Sequence, residues 1–539
     1  MAIASLSGIN SGLDSSGIVN NLVALEARPI DVLISQQETE KDKLAAFQDL
    51  QSRLQTFKSV VNTINTESRF LSSQGEFSNS DPSSNNTVVD ITTANTATSG
   101  TFSLTVNQLA RETKIISQGF ATTTSEITSG RVEIYDGTKT TFIDIDSSNN
   151  TVDGLRLAIN NSGANVSASF LNDGDPNSPI RLLISGTKTG EDNAVTISHK
   201  FGSIGGDEIV LTDFTQTQSA QNAELVIDGV SISKNSNLVN DVITGTTLSL
   251  QSTGTGTLNI STNINNISDK VSNFVDGFNE LMLYLNEQLA VDVSAGKTGT
   301  LFGNFTVQNL QQNMRSSITS LVSGVSGDFK YLSQIGISTN KDSTISLDKS
   351  TLTSAIAQDP QNVSQLFSSK GTTSNTGVTF VGFTSKTKAE TYDIRVRSGV
   401  PQLSKSGAND YTNATGSGNF FAGASGTDAE GLNFRISNLA DGDYGSVTLS
   451  IGVAEILNRT LNTLVDTSQG GPLATEIDTV EETISNLEDT INVQEGRLTL
   501  FEQDLQRKFT NLEIVVGKLN SQRDTFSQAI AGIQNLFKK

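Results

Sequence analysis

The 539-residue chain has no cysteine, no tryptophan, 7 prolines and a single histidine, His199. Without cysteine there are no disulfides, thiolate metal sites or cysteine nucleophiles. One histidine excludes HExxH zinc sites and leaves any Ser-His-Asp triad resting on one residue. Positive charge is also scarce: Lys and Arg number 36 against 57 Asp and Glu, a net charge of −21. That balance argues against a surface that tracks the phosphates of DNA, RNA or anionic lipid. Long apolar runs are missing as well. The stretch Leu281–Leu285 falls far short of the ~20 residues that cross a bilayer. The opening MAIASLSGINSGLDSSGIVNNLV precedes the first basic residue, Arg28, and so does not read as an ordinary secretory signal. An absence of cysteine fits either the cytosol or an export route that bypasses disulfide chemistry.

What is present is 45 Gly, with Ser, Thr, Asn and Gln in place of charge. A chain of this length is expected to hold three to four domains of roughly 150 residues each. Phe47, Leu50, Leu54, Phe57, Val61 and Ile64 recur at alternating spacings of three and four, which predicts one helical stripe. The polar stretch from Ser72 to Asn86, around Pro82, reads as a linker. From Thr87 to about Ile260 short alternating runs such as TVVDITT, TFSLTVNQL, RVEIYDG and ELVIDGVSIS lie between Gly, Asn and Asp turns. They predict antiparallel β structure in two modules, with one short helix around Val152 to Asn160. Helical spacing returns through Ile267, Val271, Phe274, Phe278, Leu281 and Leu285, and again through Val307, Leu310, Met314, Ile318 and Leu321. A further β stretch occupies about Val378 to Ala454, and its TYDIRV (Thr391–Val396) echoes TFSLTV (Thr101–Val106), a hint of a duplicated module.

The strongest pattern lies at the end. Ile477, Ile484, Ile491, Leu498, Leu505, Leu512, Leu519, Phe526 and Ile533 are spaced seven apart, with polar interruptions at Gln494, Lys508 and Gln522. A stripe repeating every 3.5 residues drives helices to pair. Its first half is expected to pack on its own chain and its second half on another molecule. Gly496, Gly517 and Gly532 each weaken the helix by about 1 kcal/mol relative to Ala, which makes the distal part marginal alone. The predicted class is α+β: an elongated, coiled-coil-like helical stem built from N-terminal, middle and C-terminal helices, with inserted antiparallel β modules.

The segments SGINSGLDSSGIVNNLVALEARPIDVLISQQ, LVIDGVSISKNSNLVNDVITGTTLSL, VSNFVDGFNELMLYLNEQ, LFGNFTVQNLQQNMRSSI, LSQIGISTNKDSTISLDKSTL and DPQNVSQLF carry a resemblance. In this order, and over nearly the whole chain, the sequence resembles the bacterial flagellar filament cap family, hook-associated protein 2. The region 375–452 is the part most expected to vary within that family.

The resemblance implies an extracellular scaffold at the flagellar tip, exported unfolded by the flagellar type III system without a cleaved signal peptide. It implies a ring of about five subunits that promotes the folding and insertion of flagellin. The implied partners are flagellin, further copies of the chain, hook–filament junction proteins, and a cytoplasmic export chaperone on the C-terminal helix. No catalytic residue, cofactor, metal, nucleic acid or membrane insertion is expected.

Residue by residue, the resemblance places Ile9, Leu13, Ile18, Leu22, Leu25, Leu512, Leu519, Phe526, Ile533 and Phe537 at filament or subunit contacts. Phe47, Leu54, Val61, Phe274, Phe278, Leu281, Leu285, Ile477, Ile484 and Ile491 are assigned to the stem core. The expected organisation is a flexible N-terminal segment (1–40), a helical stem (41–84, 263–374 and 453–511) and a β head domain (85–117 and 218–262). To these are added a second β head domain (118–217), an inserted β domain (375–452) and a flexible C-terminal helix (512–539). The alternative is a tip adhesin whose β modules bind host glycans or mucin.

Other chemistry reads poorly. Ala295–Thr300, AGKTGT, lacks the glycine a phosphate loop needs at Val291 and follows a helix instead of a strand. Asp144, Asp146 and Ser148 begin like a calcium loop, but Asn149 and Leu155 stand where Gly and Glu are required. Asp173, Gly174 and Asp175 read as a β-turn, and His199 as a residue on or at the end of a strand.

Overall fold

In the computed structural model the described residues are 11–201, 213–325, 327–465 and 470–536. The helices are α1 (Ser15–Asn62), α2 (Glu67–Phe70), α3 (Val152–Asn160), α4 (Ile264–Gln288), α5 (Phe305–Thr319), α6 (Lys349–Gln358), α7 (Pro360–Phe367), α8 (Val453–Val465) and α9 (Pro472–Leu536). Two units are interleaved along the chain. One takes the residues up to Asn65, Val271–Asp348 and those from Gln365 onward; the other takes Thr66–Lys270 and Lys349–Ser364.

In the first unit the stripe read from the sequence becomes the inner face of α1. Phe47, Leu50, Leu54, Phe57 and Val61 are buried, as are Phe274, Phe278, Leu281 and Leu285 of α4. The rings form a cluster, with Phe57 5.8 Å from Phe274 and 6.2 Å from Phe278, and Phe274 edge-on to Phe367 at 5.7 Å. Gly277 lets α4 approach α1, because a Cβ there would stand 3.1 Å from the Phe57 ring. Tyr284 donates its hydroxyl to Ala46 O at 2.7 Å; burial, helped by the Asp49 carboxylate, pushes this phenol up to about 12. Among the described residues no helix is long and apolar enough to cross a membrane.

Each β module is a pair of antiparallel sheets closed on one core. In the first, the larger sheet runs Ser73–Asn79, Gly254–Thr262, Gly100–Gln108, Ala223–Ile227, Val230–Lys234, and the smaller runs Leu238–Ile243, Thr246–Leu250, Val89–Thr93. Leu104, Leu225 and Leu258 of the larger sheet meet Val239 and Leu248 of the smaller.

The module in the first unit repeats this path. Ser369–Thr373, Gly442–Ile451, Thr391–Arg397, Val400–Lys405 and Thr412–Asn413 form one sheet, and Val378–Gly382, Asn433–Ile436, Phe420–Ala422 and Thr415–Ser417 the other. In chain order the strands visit equivalent places in the two modules, and Thr415–Ser417 is an addition. Even the close approaches match: a Cβ on Gly75 would strike Ile91, and one on Gly371 would strike Phe380, each 2.3 Å away. TFSLTV and TYDIRV are the equivalent central strands, so the faint echo between them has a counterpart in topology.

The two modules differ in how their central strands are joined. Thr391–Arg397 turns into Val400–Lys405 through Ser398 and Gly399 alone, both with positive φ (52° and 72°), as a two-residue hairpin requires. Gly100–Gln108 reaches its equivalent partner Ala223–Ile227 only after the whole second head module. That excursion leaves and returns at Arg111 and Gln221, which exchange two backbone hydrogen bonds of 2.9 and 3.1 Å. Such a pair can close a two-residue turn. Replacing residues 112–220 with Asn-Gly is therefore expected to leave the first module folded, with a thermal midpoint within a few degrees of the parent's. Loss of its cooperative melt by circular dichroism would show that the second module props it up.

The second head module sets helix α3 and two sheets, Phe214–Gln218, Lys114–Phe120, Ile180–Gly186, Val166–Asn172 and Thr140–Ile145, Gly130–Tyr135, Thr196–Phe201, around Val132, Ile134, Leu155, Leu182 and Ile184. Asp136, buried at 1% exposure, ties its turns together. The carboxylate accepts from Thr138 N–H and Oγ1, Lys139 N–H, and Asn165 N–H and Nδ2 at 2.7–3.1 Å. Burial pushes this carboxyl up, but the hydrogen bonds, led by Asn165 N–H, outweigh it and hold the group well below the usual carboxylate range. A depressed folded pKa stabilises above the unfolded value of about 3.9 and is lost as pH falls through the folded one. Asp136→Asn turns an amide N–H₂ toward donors and is expected to cost ~3 kcal/mol. The variant's denaturant midpoint should then vary less than the parent's below about pH 4.

Several expected boundaries move. Ser73–Asn79, read as linker and stem, pairs with Gly254–Thr262 across seven register positions. Its sequence SQGEFSN hides the alternation because one face is only half-buried. Lys114–Phe120 belongs to the second head module and Ser369–Thr373 to the inserted one. Lys349–Ser364 groups with the second unit instead of the stem. The divisions drawn at 40/41 and 511/512 fall inside α1 and α9, which run through them as continuous helices.

Candidate assembly surface on the terminal helices

Helix α1 begins where Asp14 caps it, its carboxylate accepting Gly17 N–H at 2.9 Å. The 48 residues of α1 and the 65 of α9 pair antiparallel. Near the α1 start the contact is with Glu513, far along α9. Near the α1 end, Asn65 reaches Glu455 on α8, the helix that precedes α9.

On α1 the seam carries Val19, Ile30 and Gln37, with Val23, Ala27 and Leu33 half-buried between them. On α9 Val480 and Ile491 are buried, and Ile477, Ile484, Leu487, Leu498, Phe501 and Leu505 half-buried. Beyond Leu505 the inward face leaves the heptad. It takes two steps of four, to Phe509 and Glu513, and then Val516. A straight helix of 3.6 residues per turn drifts from a 3.5 repeat, and such a four-residue step resets the drift.

Glu513 closes the described seam at 2% exposure. It accepts from the Ser11 backbone N–H at 3.2 Å, from the Ser11 hydroxyl, and from the Ser15 hydroxyl at 3.4 Å. The heptad pattern does not single out this carboxylate. Its one signal in the sequence is that a charged residue falls where the inward face of α9 lands once the step of four is allowed.

The stepped seam leaves the rest of the apolar stripe outside. Leu512, Leu519, Phe526 and Ile533 on α9 are exposed, Phe526 at 73%, and so are Leu13 just before α1 and Ile18, Leu22 and Leu25 on it. Ile9 and Phe537 lie outside the described residues. The residues assigned to a stem core divide: Phe47, Leu54, Val61, Phe274, Phe278, Leu281, Leu285 and Ile491 are buried, whereas Ile477 and Ile484 are half-buried in the two-helix seam. Each terminal helix thus presents apolar side chains on two faces, one turned to its own chain and one to solvent.

The motifs that read poorly as chemistry lie in structural settings. Lys297 and Thr298 pair with Val291 and Asp292 in a hairpin between α4 and α5. Asp144 pairs with Arg131, Asp146 accepts Ser148 N–H at 2.8 Å, and Asp173 pairs with Arg181. His199 lies in Thr196–Phe201, its ring 5.9 Å from Phe214. Among the described residues no three His, Cys, Asp or Glu side chains are grouped to hold a metal.

A chain of inserted β modules whose two ends pair as helices with apolar outer stripes is a structural protein of the assembling kind. Its residues 220–521 match the family described as flagellar hook-associated protein 2 C-terminus, and residues 11–113 match the corresponding N-terminus. The chain belongs to the flagellar hook-associated protein 2 family.

It is 31% identical over 393 residues to the B-type flagellar hook-associated protein 2 of Pseudomonas aeruginosa, covering 67% of this chain and 81% of that one. It is 32% identical over 409 residues to the flagellar hook-associated protein 2 of Escherichia coli K12, covering 70% and 83%. The crystal structure of the D1-D2-D3 domains of the flagellar cap protein FliD from Escherichia coli aligns with a TM-score of 0.50 at 27% identity, covering 60% of this chain and 89% of that one.

Proposed function

We propose that this chain caps the growing flagellar filament outside the cell, as a non-enzymatic ring of about five copies that shelters exported flagellin while it folds and inserts. The observation that carries this reading is the pair of terminal helices, bound to each other by one face and apolar on the other. Membership of the hook-associated protein 2 family supports it. In this reading Leu13, Ile18, Leu22 and Leu25, with Leu512, Leu519, Phe526 and Ile533, contact filament or junction subunits. The distal stripe is covered by an export chaperone before the unfolded chain passes through the type III channel. The outward side chains sit on or just before helices already formed in the free chain and are exposed there, so contacts with filament subunits can be made and broken as the cap advances with each new subunit. The adhesin alternative draws no support from the matched relatives, whose descriptions are of hook-associated proteins.

The test is a strain lacking the chain. Monomeric flagellin should accumulate in the medium and filaments should be absent, with both defects reversed by the intact gene. Filaments of normal length in that strain would refute the reading.

A further inference from the structure

Gly496 sits in the middle of α9, where glycine weakens a helix. A Cβ there would meet nothing within 4 Å, so no contact inside the described chain calls for a glycine. It lies on the face opposite Leu498, between Val493 and Leu500, which are 55% and 65% exposed. At roughly 100° per residue the same exposed face carries Glu482 and Asp489 on one side of the glycine and Arg507 on the other. The whole helix is divided in the same sense: residues 472–495 hold seven acidic side chains and no basic one, whereas 497–536 hold five basic and four acidic.

We propose that this outer face of α9 binds the same face of a second copy of the chain, antiparallel, with the two-fold axis passing at Gly496. Two glycines at the crossing let the backbones approach, and Val493 and Leu500 of each copy interdigitate beside them. Arg507 then enters between Glu482 and Asp489 of the other copy, twice by symmetry. A parallel pairing would set the acidic halves side by side and is disfavoured by the same charges. The contact is isologous and self-complementary. It requires no flagellin, and so stands apart from the capping reading.

The absence of cysteine makes the test direct, since one introduced thiol reports one position. Full-length Gly496→Cys should form a covalent dimer under mild oxidation, because its Cα atoms meet near the axis within the ~4.4–6.8 Å span of a disulfide. Leu500→Cys should not, because four residues off the axis its two thiols are separated by about 12 Å along the helices. Thr490→Cys, exposed on another flank, should not either.

Equal cross-linking at 496 and 500 would mean a parallel pair and overturn the proposal, as would failure of Gly496→Cys to dimerise. A second series avoids the glycine. Arg507→Glu should weaken dimerisation at least tenfold by sedimentation, and adding Glu482→Arg and Asp489→Arg should restore it. Dimerisation indifferent to these charges would also overturn the proposal.

Discussion

Leu519→Asp with Phe526→Asp is expected to stop filament elongation and release flagellin to the medium, a larger effect than any other substitution should have. Burial of a Leu or Phe side chain contributes ~1.5–3 kcal/mol, so removing both from a contact with filament subunits weakens it more than a hundredfold. The pair is preferable to deleting the end of α9 from Leu512. A deletion also removes Glu513 and with it the partner of Ser11 and Ser15, so it would loosen the start of α1 as well. Both substituted residues are exposed in the free chain, and its circular dichroism and melting should be unchanged. Normal filaments from the double variant would show that the stripe contacts nothing.

The second large effect is independent of function. Phe274→Ala opens a cavity among Phe57, Phe278 and Phe367, and truncation of a buried Phe costs about 3–5 kcal/mol. Helical signal should be lost at lower denaturant, while the core of Leu104, Leu225 and Leu258 should unfold where it does in the parent. A single transition shifted as a whole would indicate that the two units unfold together.

Long-period signals are legible in the amino-acid sequence itself. The stripe Phe47–Ile64 and the positions Phe274, Phe278, Leu281 and Leu285 read as helices because one continuous face is apolar, and that face is the one buried. The helix at Val152–Asn160 is equally plain, with Thr151 as its cap. Edge strands are not. Ser73–Asn79 and Ser369–Thr373 owe their place to backbone pairing and a glycine that admits a neighbour's side chain, neither of which alternates in hydrophobicity.

The repeat of the first module by the inserted one shows as six residues of weak likeness, because topology is conserved by hydrogen bonding and burial pattern and hardly by side-chain identity. On the assembly surface, the heptad points to the right helix but not to its inner face. Where Leu512 continues the seven-residue spacing in sequence, the helix has already drifted, and Glu513 turns inward instead.

The most direct measurement uses single thiols in this cysteine-free chain: the rate of maleimide labelling of Leu519→Cys and Phe526→Cys, free in solution and then on filament tips. Fast labelling of the free chain and strong protection after assembly is the predicted result. Equal rates in the two states would mean that the outward stripe of α9 stays in solvent on the filament, contradicting the role given to the terminal helices.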